Sequence, residues 1–296
     1  MTTAATPLAT VSATAVPAPK PISALPGVNV LIEGPTGTGK TTSLATLAAA
    51  GLEVFALFTE SGLESLLGAW KDHGKEIPPN VHWHILKKTP ADFGVMADAA
   101  EKVNSLSLEA LSKMADPNRS KHNQFVDLLR ALNDFEDHRT GARFGSVDSW
   151  GTGRVLALDS LTGINPIALS LVVGAKPVKS MSDWGIAQDQ IEKLLRKLCD
   201  GCRCHFVLTA HVEREVDQVF GGVKVTVSTL GKALAPKIPP MFSDVVLSYR
   251  EGAKFLWSTD NSQADLKARN LPIKSGIAQD FGQIVEKWKS RGGVIE

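Results

Sequence analysis

The run Gly34-Pro35-Thr36-Gly37-Thr38-Gly39-Lys40-Thr41-Thr42 carries the most specific chemistry in the chain. It follows a short apolar stretch rich in β-branched residues, Val28-Asn-Val-Leu-Ile-Glu33, and precedes a helix-forming stretch, residues 43–50, that stops at Gly51. The pattern G-x-x-x-x-G-K-T between a strand and a helix is a phosphate-binding loop, or P-loop. Its glycines let the backbone wrap a phosphate chain, and loop amides with a helix N-terminus present partial positive charge. Lys40 is placed to reach the β- and γ-phosphates, and the Thr41 hydroxyl to bind Mg²⁺. A chance glycine-rich turn has no reason to satisfy this spacing and both flanking elements together.

Other reactive side chains fall at strand ends. A second strand, residues 53–59, ends at Glu60, and a later apolar strand, residues 154–160, carries Asp159. Apolar residues ending in an acid form the Walker B pattern, which brings a carboxylate to the strand edge where Mg²⁺ sits. The strand at 205–210 delivers His211 to the same edge. Before it, residues 183–198 read as an amphipathic helix with Ile186, Ile191, Leu194, Leu195 and Leu198 inward. A strand at 81–86 would put His82 and His84 on one face; with no third ligand they read as partly buried histidines. Cys199, Cys202, Cys204 and His205 are metal-ligand types, but tetrahedral sites draw on two separated pairs, which argues against zinc. Cysteines so clustered do not make a disulfide framework, so a reducing, cytoplasmic setting is expected.

The frame that must position these groups follows from length and composition. A chain of 296 residues, 43% hydrophobic and 21% charged, has room for one large α/β domain. Its 32 Lys and Arg against 31 Asp and Glu give a net charge of +1, which excludes a generally polybasic nucleic-acid binder. There is no apolar run long enough to cross a membrane and no secretory leader pattern, so no membrane partner is expected. Residues 1–26 are Ala, Thr and Pro with one charge, Lys20, and read as a disordered arm before a domain spanning 27–296. Roughly 90 residues separate Glu60 from Arg154, more than a single βα crossover needs. Residues 116–153 read there as a polar insertion, aperiodic apart from a helix near 124–135. Toward the C-terminus, residues 244–249 and 254–259 predict an antiparallel hairpin turning at Glu251-Gly252. Lys267 and Arg269 then alternate on one face of an extended segment, and a last helix is expected over 277–289.

Together these positions resemble the RecA-like branch of P-loop ATPases, across roughly residues 27–275. The similarity is greatest to phage-encoded RecA-like ATPases of recombination and single-strand annealing. It implies an α/β fold, a RecA-like P-loop core with a mainly parallel sheet between helices and a C-terminal antiparallel extension. It also implies ATP and Mg²⁺ as ligands, a homo-oligomeric ring or filament, single-stranded DNA as partner, and the host cytoplasm as location. On the family pattern Glu60 activates the attacking water, and Asp159, within Leu158-Asp159-Ser160-Leu161, serves Mg²⁺. His211 stands where recombinases carry a polar γ-phosphate sensor, often Gln. Lys267-Ala-Arg269-Asn270 resembles the K-x-R of helicases, whose cations reach a neighbouring subunit's nucleotide. The loops expected to face DNA are 161–182, with Lys176 and Lys179, and 212–232, with Arg214, Lys224 and Lys232. Few aromatics accompany these cations, so DNA rests on the resemblance rather than on a stacking platform.

Guanine-specificity motifs are absent, which favours ATP over GTP, and no helical lid follows the strands, unlike a standard AAA+ module. Two further readings stay open on the sequence. A small-molecule P-loop kinase would use the P-loop and Asp159 but leave Lys267 and Arg269 no task beyond a lid. An ATP-gated structural or packaging-accessory protein would bind nucleotide with little turnover.

Overall fold

A computed structural model describes residues 25–86, 92–116, 119–216 and 221–296. Most of the expected disordered arm therefore lies outside the described residues. In chain order the elements are β1 (Asn29–Glu33), α1 (Lys40–Ser43), α2 (Ala45–Ala49), β2 (Glu53–Phe58), α3 (Leu63–Lys71) and β3 (Val81–Ile85). Next come α4 (Phe93–Ser105), α5 (Leu108–Ser112), α6 (Gln124–Asn133), β4 (Arg154–Asp159), α7 (Leu161–Val173), α8 (Met181–Gly201) and β5 (His205–Ala210). The remainder are β6 (Val212–Val216), β7 (Val223–Val227), β8 (Asp244–Glu251), β9 (Lys254–Ser258), β10 (Ile277–Ala278) and α9 (Gly282–Ser290).

Eight strands form one sheet in the order β10-β9-β8-β1-β5-β4-β2-β3. From β8 to β3 every neighbouring pair is parallel, while β9 and β10 add an antiparallel extension. The fold is thus α/β, with a mainly parallel sheet between two helical layers. Strands covered on both faces should be apolar throughout rather than alternating. β2, β4 and β5 meet that rule: apart from half-exposed Glu53 and Arg154, all their residues are buried.

Alternate side chains of each strand enter different cores. Leu31, Phe55, Leu57, Leu156, Leu158, Phe206 and Leu208 pack beneath α6, α7 and α8. Val30, Ile32, Val54, Ala56, Val155 and Val207 pack on the other face with Leu44, Leu47 and Leu66, and with Ile284 and Trp288 of α9. Because parallel strands all end at one edge, the residues after β1, β2, β4 and β5 gather there. That edge collects the P-loop, Glu60, Asp159 and His211.

Several elements differ from the sequence expectation. Residues 161–173, expected as part of a DNA-facing loop, form α7, whose start is capped by the Ser160 hydroxyl accepting from the Gly163 amide. Its residues are apolar nearly all round and include Pro166, so no amphipathic period marks it. Residues 212–216 and 223–227 pair as antiparallel strands, β6 with β7, where an irregular loop was expected. The final helix begins at Gly282, because Ile277 and Ala278 pair with β9 instead. Within residues 116–153, Phe125, Leu128, Phe135, Val147 and Trp150 are buried in the same core as α7 and α8. That burial ties the segment into the main body.

Candidate active site

The P-loop leaves β1 at Gly34 and re-enters helix at Lys40. Two glycines are required by close approach. A Cβ on Gly34 would meet the Ser248 carbonyl oxygen at 2.4 Å, and one on Gly39, whose φ is 84°, would meet Gln279 at 2.7 Å and Phe255 at 2.9 Å. The loop is braced from the C-terminal part of the sheet. The Thr38 carbonyl accepts from Ser248 Oγ at 2.8 Å and from Gln279 Nε2 at 2.9 Å. Gln279 Nε2 also donates to Ser248 Oγ at 2.8 Å and the Leu256 carbonyl at 3.1 Å. No local motif marks this brace: Gln279 lies between β10 and the last helix, in a stretch whose pattern predicts helix.

Lys40 is buried, and its ammonium donates to the Gly34 and Pro35 carbonyls at 2.8 and 2.7 Å. Burial pulls its pKa down to about 8, against the favourable charges of Asp159 and Glu60. Thr41 Oγ1 donates to Asp159 Oδ2 at 2.8 Å, and Thr209 Oγ1 on β5 donates to Asp159 Oδ1. Burial raises the Asp159 pKa above the ordinary carboxylate value despite those two donors. A carboxylate and hydroxyl already paired at the end of a P-loop fit Mg²⁺, a hard cation that takes oxygen ligands.

Glu60 follows β2. Its Oε2 accepts from Ser160 Oγ at 2.7 Å and lies 3.9 Å from His211 Nε2. Thr59 locks the two strand ends together, donating to the Ser160 carbonyl at 2.8 Å and accepting from the Ser160 amide at 2.9 Å. Gly163 on α7 keeps that corner open, since a Cβ there would strike Thr59 and the Glu60 side chain. His211 Nδ1 sits 3.5 Å from both Lys40 Nζ and Thr36 Oγ1, and the His211 amide donates to Thr162 Oγ1 at 3.2 Å. Burial, followed by the charge of Lys40, lowers the His211 pKa, so its ring is neutral near pH 7. These groups line one cleft of about 360 Å³, with Phe255 on its rim.

Thus Gly34, Pro35, Thr36, Gly37, Thr38, Gly39, Lys40, Thr41 and Thr42 meet Glu60, Asp159 and His211 at one edge. Ser160, Thr209 and Gln279 complete the arrangement. Thr209 had a faint sequence signal: a lone hydroxyl in the apolar strand HFVLTA, next to the strand bearing Asp159.

Lys267 and Arg269 lie elsewhere. Lys267 bridges Val245 near the start of β8, level with Leu31 in the middle of β1, whereas the P-loop leaves β1 beyond Glu33. At a strand rise of roughly 3.3 Å per residue, Lys267 therefore sits about 10 Å back from the P-loop along the strands, toward the amino end of β8. The Lys267 ammonium donates to the Phe242 carbonyl at 2.7 Å. The Arg269 side chain is exposed, while its amide donates to Asp244 Oδ1 at 2.8 Å.

The histidine and cysteine clusters are internal. His82 lies 3.1 Å from Asp137 and 3.5 Å from Glu53, stacked on Phe55. The three cysteines are buried, and desolvation raises all their thiols, Cys199 and Cys204 to about 12 and Cys202 to about 11.

No protein-family model and no curated protein matches the chain. Among solved structures it is similar to the crystal structure of the RadB recombinase, at 14% identity over 85% of this chain and 86% of that one, with a TM-score of 0.36. It is also similar to the flagellar accessory protein FlaH from Methanocaldococcus jannaschii, at 12% identity over 79% and 78% of the two chains, with a TM-score of 0.28. Similarities this slight carry no argument of their own, and the reading of the cleft rests on its geometry. Among the described residues, no helix is long and apolar enough to cross a membrane.

Proposed function

We propose that the chain is a RecA-like ATPase that binds ATP with Mg²⁺, hydrolyses it, and acts as a homo-oligomer on single-stranded DNA in recombination, annealing or replication. What supports hydrolysis, beyond nucleotide binding, is Glu60. It stands in the P-loop cleft, oriented by Ser160 at 2.7 Å, apart from the acid that serves the metal. The P-loop amides hold the phosphates, and Lys40 exchanges its carbonyl partners for β- and γ-phosphate oxygens. Thr41 and Asp159 hold Mg²⁺, which neutralises charge on those oxygens when bound. Glu60 takes the proton of the attacking water as its oxygen bonds to the γ-phosphorus and the bond to the ADP oxygen breaks. His211, neutral and within reach of Lys40 and Glu60, donates or accepts a hydrogen bond as the γ-phosphate comes and goes.

The DNA partner rests on the resemblance and on a small set of cations. Lys176 is paired with Asp183 at 2.9 Å, Lys224 with Asp265 at 3.3 Å and Lys232 with Glu215 at 3.0 Å. Lys179 and Arg214 are exposed and carry no ion pair among the described residues, so we assign phosphate contacts to them. In trans, Lys267 and Arg269 are proposed to complete a neighbour's ATP site. ATP turnover measured with Mg²⁺, with and without single-stranded DNA, tests the whole reading. Turnover that DNA accelerates is expected. ATP binding without turnover would favour an accessory protein, and phosphoryl transfer to a small acceptor would favour a kinase.

A further inference from the structure

Glu33 is the last residue of β1, directly before the P-loop, yet it points away from the nucleotide cleft. It shares a face with Leu31, the face covered by α7 and α8. Only 1% of Glu33 is exposed, and its Oε1 has no hydrogen-bond partner among the described residues. A buried carboxyl oxygen without a partner loses its water and gains nothing in return. This one borders a cavity of about 530 Å³ between the β6–β7 hairpin, Trp184 of α8 and the segment holding Asp265.

The charges around that cavity are unbalanced. β6 contributes Glu213 and Glu215, β7 contributes Lys224, the following loop Lys232, and the segment after β9 contributes Asp265. Both lysines are already paired, Lys224 with Asp265 at 3.3 Å and Lys232 with Glu215 at 3.0 Å. Among the described residues, Glu213 accepts from the Ser228 hydroxyl alone, at 2.7 Å. Among the described residues, what remains without a cationic partner is therefore acidic, the exposed Glu213 and the buried Glu33. Burial, with the nearby Asp265 charge, raises the Glu33 pKa to about 8, so it is mostly protonated until something pairs with it. Among the described residues no three metal-ligating side chains come close enough to hold an ion, so the cavity suits a larger group than a bare metal. The indole of Trp184 adds an aromatic wall, which favours cations.

We infer that this cavity binds an organic cation, an alkylammonium or alkylguanidinium group, whose charged head pairs with Glu33. The same head chemistry can arrive on a free polyamine or on a basic side chain of another polypeptide. In either case Glu33 gives its proton to solvent as the cation enters, forming a buried ion pair that satisfies Oε1. This site is independent of the ATPase reading.

Calorimetric titration of the full-length protein with spermidine and, separately, with N-acetyl-arginine amide tests it. At about pH 7, run in two buffers of different ionisation heat, one of the probes is expected to bind with release of a proton. Affinity should rise as pH approaches about 8. Glu33→Gln keeps the shape and the neutral charge of the protonated acid, so it should fold, and it should weaken binding at least about tenfold and abolish the proton release. Preference for the capped arginine identifies a side-chain source, and preference for spermidine a free polyamine. Binding of neither probe, binding without proton release, or unchanged affinity in Glu33→Gln each overturns the inference. Its failure leaves ATP turnover, and so the proposed function, untouched.

Discussion

At the carboxyl ends of β1, β2, β4 and β5, side chains converge on one another: Thr41 on Asp159, Ser160 on Glu60, His211 on Lys40. At the amino end of β8 the pattern is reversed. There the backbone does the tethering, with the Arg269 and Asn270 amides donating to Asp244 Oδ1 at 2.8 and 2.7 Å, while the Arg269 head is free in solvent. Lys40 and Lys267 are both lysines bound to main-chain carbonyls. Only Lys40 does so beside two carboxylates and a loop that can exchange those carbonyls for phosphate. The difference lies in what the strands bring alongside each cation, and a short string such as K-x-R does not encode it. A parallel sheet gathers reactive ends at one edge, so the P-loop end assembles its groups within one chain, whereas the β8 end can reach an ATP site only across an interface.

Four changes sharpen or break that contrast. Lys40→Ala removes the cation that meets the β,γ-phosphates and should lower ATP turnover at least about a hundredfold, measured as phosphate release. Unchanged turnover would remove the P-loop assignment. If the β8 end serves a neighbour's cleft, Arg269→Ala should also be nearly inactive alone. Mixing Arg269→Ala subunits with Lys40→Ala subunits should then restore part of the activity, because an intact finger meets an intact P-loop at some interfaces. No recovery despite demonstrated co-assembly would leave Arg269 as a solvated surface residue. Gln279→Ala withdraws donors from Thr38, Ser248 and Leu256 together. It should weaken ATP binding and cost about 1–3 kcal/mol in unfolding experiments.

The smallest effect concerns stability. Lys40 has a folded pKa of about 8 against an ordinary 10.5. Below pH 8 it is charged in both states, and the folded protein carries the full cost of burying it. As pH climbs from 8 to 10.5 the folded protein loses that proton first, so the unfolded chain holds more protons and stability rises. Lys40→Met should therefore unfold at a higher temperature than the native sequence below about pH 8, with the gain fading toward 10.5. A gain that persists at high pH would show that packing, rather than the buried charge, is responsible.

The phosphate loop was legible because its sequence pattern includes the backbone it needs: β-branched strand, glycines at close approaches, then helix formers. Asp159 and Glu60 were legible because an acid ending an apolar strand has one edge to emerge from. What was not legible depends on contacts between distant segments. Ser160 meets Glu60 across 100 positions, and Gln279 meets Thr38 across 241. No local spacing records such pairs. α7 escaped notice for another reason: a helix buried between the sheet and its neighbours has no polar face, so its period is silent. The β6–β7 hairpin presents VEREV and VKVTV, in which charges alternate with β-branched residues; read for their cations, these looked like a DNA-facing loop, and read for their alternation they are strands.

If Glu60, held by Ser160 beside the P-loop, is what makes this cleft hydrolytic, removing its basicity should stop turnover and spare ATP binding. Glu60→Gln keeps the side-chain shape and the capacity to accept from Ser160 but loses basicity. Nucleotide affinity and single-turnover hydrolysis, measured on the same preparation with Mg²⁺, test it most directly. ATP affinity should stay close to that of the native protein while hydrolysis slows on the order of a hundredfold. Hydrolysis at the native rate would contradict it and move the base elsewhere in the cleft.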